Sequence, residues 1–231
     1  MRIAIMQPGY LPWLGFFELM HHCDLFVIFD DVQYTKKDWR SRNKIRTKDG
    51  WMWLTVPVQT KDRRFQLINE AVIDHTSNWR QKHIKSVEVH YGKARYLKEF
   101  FPAFKEIVGF KWERLVDLDL ELIKWLAGAL GIRRDIVMSS SLKTTGGREE
   151  KIIAVCEALG ATELYDTKAS STFLDRAAFE NRGIKLEFQD YQHPVYRQLY
   201  EPFLAQMSVI DLLFNYGPES LGMILGKCGG E

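Results

Sequence analysis

The tightest constraint on this chain lies at its N-terminal end. Arg2-Ile3-Ala4-Ile5-Met6 is a short apolar run closed by turn residues, and residues 14–22 (LGFFELMHH) carry apolar side chains at helical spacing. Asp24-Leu25-Phe26-Val27-Ile28-Phe29-Asp30-Asp31 is a second apolar run, bounded by carboxylates. Short apolar runs of this kind suit strands buried on both faces. Strand, helix and strand in succession predict a βαβ unit, and with it a parallel sheet covered by helices.

Trp51–Val58 reads as a third strand, with Pro57 near an edge or a strand end. Residues 66–74 read as another short strand. From 77 to 131 the pattern becomes helical (79–90, 95–108 and 113–130), which predicts a helix-rich subdomain within a single α/β domain spanning 1–231. Strands then follow at 135–140, 163–166 and 184–188, between helices at 149–159 and 172–181. Helices at 208–215, capped by Ser208, and at 219–226 close the chain, and the tail from 226 is expected to fray.

Composition narrows the partners. At 46% hydrophobic and 27% charged, with a net charge of +2, the chain has no global field that would recruit a nucleic acid or an anionic membrane. Attraction for anions must be local. Cys23, Cys156 and Cys228 form no ligand or disulfide framework, and no apolar stretch is long enough to span a bilayer, so a cytoplasmic protein without membrane insertion is expected.

Ligands of open parallel sheets bind beyond the carboxyl ends of the strands, which directs attention to the residues just after each run. Asp30-Asp31 supplies paired carboxylates for a metal or a general base, or else a cap and an ion pair; without a third carboxylate in register no dedicated metal site is predicted. Gln33 and Tyr34 follow them. Residues 36–48 hold Lys36, Lys37, Arg40, Arg42, Lys44, Arg46 and Lys48 against Asp38, and alternation at 40, 42, 44 and 46 would set four cations on one side of an extended segment. Arginine forks suit phosphate, and Trp39 offers a stacking plane, although a solvated surface loop would carry the same charges.

His193, fixed by Pro194, is a candidate base or phosphate ligand; a structural histidine is the alternative. His83 and His90 lack the spacing of a zinc set. The run from Ser139 to Arg148 is a hydroxyl- and glycine-rich turn into a helix, suited to an anion or to plain capping. GxxxxGK[ST], GxGxxG and GxSxG are all absent.

Four stretches resemble the WbqC-like family of bacterial proteins: Gln7-Pro8-Gly9-Tyr10-Leu11-Pro12-Trp13-Leu14-Gly15; Asp24–Val27 through Asp30-Asp31-Val32-Gln33-Tyr34; Trp39 and Arg42-Asn43-Lys44-Ile45 with Trp53–Val58; and Asp211–Gly217. The resemblance implies work in O-antigen or other surface-polysaccharide precursor biosynthesis. It points to a transferase acting on a nucleotide-linked amino sugar, with aminoacyl (glycyl-type) transfer to the sugar amine and an aminoacyl-tRNA as one donor class. The run Tyr165–Ser170 departs from the small Ser/Gly-rich turn that the resemblance leads one to expect there. A looser analogy links the chain to nucleotidyltransferase-like α/β folds, but where those carry HxGH this chain has Trp13-Leu14-Gly15-Phe16.

The expected roles follow. Lys36, Arg40, Arg42 and Lys44 bind phosphate, with Asn43 beside them; Tyr10, Trp13 and Trp39 form walls. Gln7, Asp30, Asp31 and Gln33 orient polar groups, and Asp31 or His193 takes the amine proton. A tRNA- or RNA-binding module and a non-catalytic partner in a biosynthetic complex are the alternatives. The sequence leaves any cofactor open.

Overall fold

The computed structural model describes residues 1–227, so Cys228 and the end of the tail lie outside the described residues. The first half of the chain forms β1 (Arg2–Met6), α1 (Leu14–His21), β2 (Leu25–Ile28), β3 (Arg42–Thr47), β4 (Gly50–Thr55), α2 (Trp79–His90) and α3 (Leu97–Gly109). Then come α4 (Leu115–Ala129), β5 (Asp135–Met138), α5 (Arg148–Ala158), β6 (Glu163–Asp166) and α6 (Arg176–Glu180). The described chain ends with β7 (Lys185–Phe188), α7 (Val209–Tyr216) and α8 (Ser220–Ile224). These elements divide between two compact units: 1–7, 15–31 and 133–192 in the first; 8–14, 32–132 and 193 onward in the second.

The first unit is an α/β layer around a five-stranded parallel sheet ordered β5-β2-β1-β6-β7. The βαβ reading of the N-terminus holds. Ile3 pairs with Leu25 and Ile5 with Val27, and Ile3, Ala4, Phe26, Val27 and Leu164 are fully buried, as apolar strands covered on both faces require. Phe16 of α1 meets Phe26 edge to face at 5.0 Å. The chain enters at the sheet centre, fills one side with β2 and β5, then crosses to β6 and β7. The strand order therefore reverses between β1 and β6, and the carboxyl end of that pair is the position where open α/β sheets take ligands.

The second unit contains an antiparallel hairpin, β3–β4, with Arg42 opposite Thr55 and Thr47 opposite Gly50. Gly50 has φ +134°, a conformation that excludes most side chains, so glycine sets the turn. The strand expected at 51–58 is therefore a hairpin arm outside the parallel sheet, and Pro57 falls beyond its end. The strand expected at 66–74 does not form. Ile68–Glu70 is one 3-10 turn, because the Glu70 carboxylate accepts the Leu67 N–H at 2.8 Å and replaces a ladder bond locally.

In the first unit the helix expected at 172–181 starts only at Arg176, where Asp175 caps it by accepting the Ala177 N–H. Ser171 and Thr172 instead donate to the carbonyls of Lys168 and Ala169, which holds the preceding residues in a 3-10 turn. In the second unit, Ser208 caps α7 as its sequence position predicts.

Asp119 of α4 is fully buried, and neither carboxylate oxygen has a hydrogen-bond partner among the described residues. Burial alone pushes its carboxyl well above the usual range, and a negative charge here would raise the buried Tyr10 hydroxyl further. A folded-state value raised above the unfolded one gives stability at low pH that is lost as pH climbs through the raised value. Chemical denaturation across pH should show the parent weakening with rising pH at up to about 1.4 kcal/mol per unit. Asp119→Asn should remove that slope; equal slopes in the two proteins would refute the assignment.

Candidate functional site

At the carboxyl ends of β2 and β5 the first unit assembles a connected polar cluster. Asp30 is buried; its carboxylate accepts from Ser140 Oγ at 2.7 Å, from the Ser140 N–H at 3.0 Å and from Ser139 Oγ at 3.1 Å. Ser139 Oγ also lies 2.5 Å from Asp31 Oδ1. Lys151, on the first turn of α5, closes the cluster: its ammonium is 2.8 Å from Asp31 Oδ2 and donates to the Asp31 carbonyl at 2.7 Å. Both partners of this ion pair have side chains only 13% exposed, so it is screened less than a surface pair. The adjacent carboxylates thus share the Ser139 hydroxyl, whose one proton serves a single carboxylate at a time, while Ser140 serves Asp30 alone and Lys151 serves Asp31 alone.

Gln7 follows β1 at the reversal point, and its side-chain oxygen is buried without a hydrogen-bond partner among the described residues. After β6, on the other side of that point, Asp166 accepts from the Thr167 N–H at 2.6 Å and from Ser170 Oγ at 2.9 Å. Burial raises the Asp166 carboxyl, and these bonds and Arg148 pull it back. The departure from a Ser/Gly-rich turn at Tyr165–Ser170 is therefore a turn organised around its aspartate.

In the second unit the hairpin gathers aromatic rings around cations. Period-2 alternation places Arg42, Lys44, Trp51 and Trp53 on one face, with Lys44 opposite Trp53. Lys44 Nζ lies 4.4 Å from the Trp51 ring centre, 5.2 Å from Trp53 and 5.9 Å from Trp39; Arg42 covers Trp53 at 4.2 Å. Trp39 and Trp51 are 45% and 46% exposed, so these rings present stacking surface to solvent. Each cation–ring contact contributes about 0.5–1 kcal/mol at such exposure, enough to orient the side chain while leaving its charge available.

The four-cation alignment is not formed. Arg40 precedes the strand and pairs with Asp38, and Arg46 is buried among carbonyls, which leaves Arg42 and Lys44 half-buried on the hairpin face. Tyr10 is fully buried, with its hydroxyl 2.9 Å from His83 Nδ1, and desolvation lowers His83 to about 4. The Tyr10 N–H donates to the Trp39 carbonyl at 3.2 Å, and a Cβ on Gly9 would stand 3.3 Å from that same oxygen, so the Pro-Gly turn fixes the backbone of the Trp39 loop. Asn43 is buried and donates to the Leu11 carbonyl, while Trp13 pairs through its backbone with Ser208. Gln33 and Lys36 are exposed and donate to the carbonyls of Arg64 and Thr60.

His193 is engaged at both ring nitrogens: Nδ1 lies 2.9 Å from the Pro194 carbonyl, and Nε2 accepts the Gln206 N–H at 3.3 Å. That pattern selects the neutral tautomer with the proton on Nδ1, and desolvation lowers its pKa in the same direction.

Residues that sequence reasoning did not select include Lys151, Trp51 and Trp53. The tryptophans had a usable signal, their spacing of two beside an alternating cation run. Lys151 had none, since its partner lies 120 residues away.

The fold is thus that of an α/β protein with a parallel sheet whose strand order reverses beside a polar cluster, joined in sequence to a unit bearing an aromatic and cationic hairpin. The model of the WbqC-like protein family matches residues 7–223, and the chain belongs to that family. It is 35% identical over 223 residues to the uncharacterized protein Rv1507c of Mycobacterium tuberculosis, a match covering 95% of each chain. No solved structure gives a significant match. Among the described residues no helix is long and apolar enough to cross a membrane.

Proposed function

We propose that this protein is an enzyme of surface-polysaccharide precursor biosynthesis that acts on a nucleotide-linked amino sugar. The observation carrying this reading is the β3–β4 face, where Arg42 and Lys44 stand among Trp39, Trp51 and Trp53. A nucleotide-linked sugar offers two phosphates, a flat base and a ring with an apolar face. Two cations held between indole planes complement that combination. Membership of the WbqC-like family supports the polysaccharide setting.

The reaction we assign is acyl transfer. The sugar amine attacks the carbonyl of an activated aminoacyl donor, the donor's leaving group departs, and the amine loses a proton. The departing group carries that proton away, so the step balances without a further acceptor.

Calorimetry with a uridine diphosphate-linked amino sugar tests the binding. Arg42→Ala and Lys44→Ala should each weaken it by roughly tenfold or more, the cost of a lost charge-assisted contact. Parent-like affinity in both variants refutes the reading. Mass spectrometry of the sugar after incubation with an activated aminoacyl donor tests the reaction; absence of the amide product refutes it.

A further inference from the structure

We infer that the paired loops at 36–40 and 60–65 of the second unit bind a single-stranded segment of nucleic acid, a ligand distinct from the nucleotide-linked sugar proposed above, whose site it borders at Trp39. Residues 36–64 contain ten lysines and arginines against three aspartates, while the whole chain carries 32 against 30. The remainder of the chain is therefore net acidic, and the positive charge is concentrated in this one stretch. Lys36, Lys37, Lys61, Arg63 and Arg64 are all exposed, and none of them is in a salt bridge with a carboxylate among the described residues. The nearby acids are Asp38, which pairs with Arg40, and the exposed Asp62.

The two loops form one surface. Lys36 donates to the Thr60 carbonyl at 3.2 Å, the Gln33 amide donates to the Arg64 carbonyl at 3.3 Å, and the Tyr34 N–H donates to the Gln66 carbonyl at 3.0 Å. Each loop also offers a ring to solvent: Trp39 is 45% exposed, and Phe65 is 75% exposed with the Arg64 guanidinium 5.6 Å from its centre.

Five exposed cations exceed what one diphosphate can use, so the matching ligand is a polyanion. The exposed rings select among polyanions. Bases of a single strand have open faces to stack on Phe65 and Trp39 at every unit of the polymer, whereas duplex bases do not, and the carboxylate side chains of an acidic peptide have no such faces.

Fluorescence anisotropy of the full chain with a short labelled oligoadenylate tests this. The logarithm of affinity should fall with the logarithm of salt at about −0.7 per contacted phosphate, hence about −3 to −4 if all five cations take part. The double variant Arg63→Glu/Arg64→Glu should lose more than tenfold, and Phe65→Ala should lose roughly five- to tenfold, as expected for one stacked base. Both should keep parent-like circular dichroism and parent-like nucleotide-sugar affinity, because none of these residues belongs to the hairpin face. Salt-independent binding, an unaffected double variant, or equal competition by duplex, polyglutamate or anionic vesicles overturns the inference. Loss of sugar binding in Arg42→Ala and Lys44→Ala does not bear on it.

Discussion

Asp211→Ala is expected to destabilise this protein by about 3–5 kcal/mol, the loss typical of removing one partner from a buried charged network. Asp211 lies on α7 and is fully buried. Its Oδ1 accepts from Tyr91 Oη at 2.8 Å, and its Oδ2 accepts from Tyr196 Oη at 2.8 Å and Gln198 Nε2 at 2.9 Å. Burial raises its carboxyl, and the three donors pull it back. Alanine would leave those donors in an apolar interior with no acceptor, and each would bear its own desolvation cost. Gln198 is itself held, since its Oε1 accepts the Leu204 N–H at 2.8 Å, so it cannot simply turn toward water. Asp211→Asn preserves shape and one acceptor oxygen and should cost about half as much or less, in the range of one or two lost hydrogen bonds. Urea denaturation with a shared m-value gives the comparison. An alanine variant within about 1 kcal/mol of the parent, the worth of one ordinary hydrogen bond, would show that the network relaxes and that this account is wrong.

The parallel sheet was legible because β1, β2 and β5 are short apolar runs, because β7 alternates apolar and charged residues, and because β1, α1 and β2 are consecutive. The strand order could not be read: β6 pairing with β1 brings Leu164 beside Ile3, a contact with no local trace. The second unit was harder for a related reason. Its hairpin pairs residues only a few positions apart, yet β3 reads as a charge run, and its strand character comes from Asn43, Ile45 and Thr47 packing inward while Arg42 and Lys44 lie over indoles. Burial of Arg46 in that same alternation was invisible, because two of the four carbonyls that accept it come from residues more than 150 positions away. Among the candidate residues, Asp30 and Asp31 stood out as carboxylates closing an apolar strand. What the sequence withheld was their division of partners, which depends on Ser139, Ser140 and Lys151 arriving from beyond residue 138.

Arg46→Ala is the other substitution expected to cost about 3–5 kcal/mol. The side chain is 1% exposed, and its guanidinium donates through Nη1 to the carbonyls of Thr47 at 2.6 Å and Gly50 at 2.5 Å. Nη2 donates to the carbonyls of Tyr200 at 3.0 Å and Pro202 at 2.9 Å. A buried cation held by four carbonyl dipoles fastens the hairpin turn to the 200–202 segment, and alanine would strand all four acceptors and leave a cavity besides. Lysine keeps the charge but lacks the planar fork that reaches two carbonyl pairs at once, so Arg46→Lys should recover only part of the loss. The backbone adds a second link: the Arg46 N–H donates to Tyr91 Oη at 2.9 Å, and that hydroxyl donates to Asp211. Arg46 and Asp211 therefore share a partner, and Arg46→Ala/Asp211→Ala should fall short of the summed single losses by more than about 0.5 kcal/mol. Strict additivity would mean that Tyr91 does not couple them. Limited proteolysis locates the effect: in Arg46→Ala the first new cleavage should appear near residues 197–203, since that segment loses its anchor to the hairpin while the Asp211 hydrogen bonds keep α7 in place.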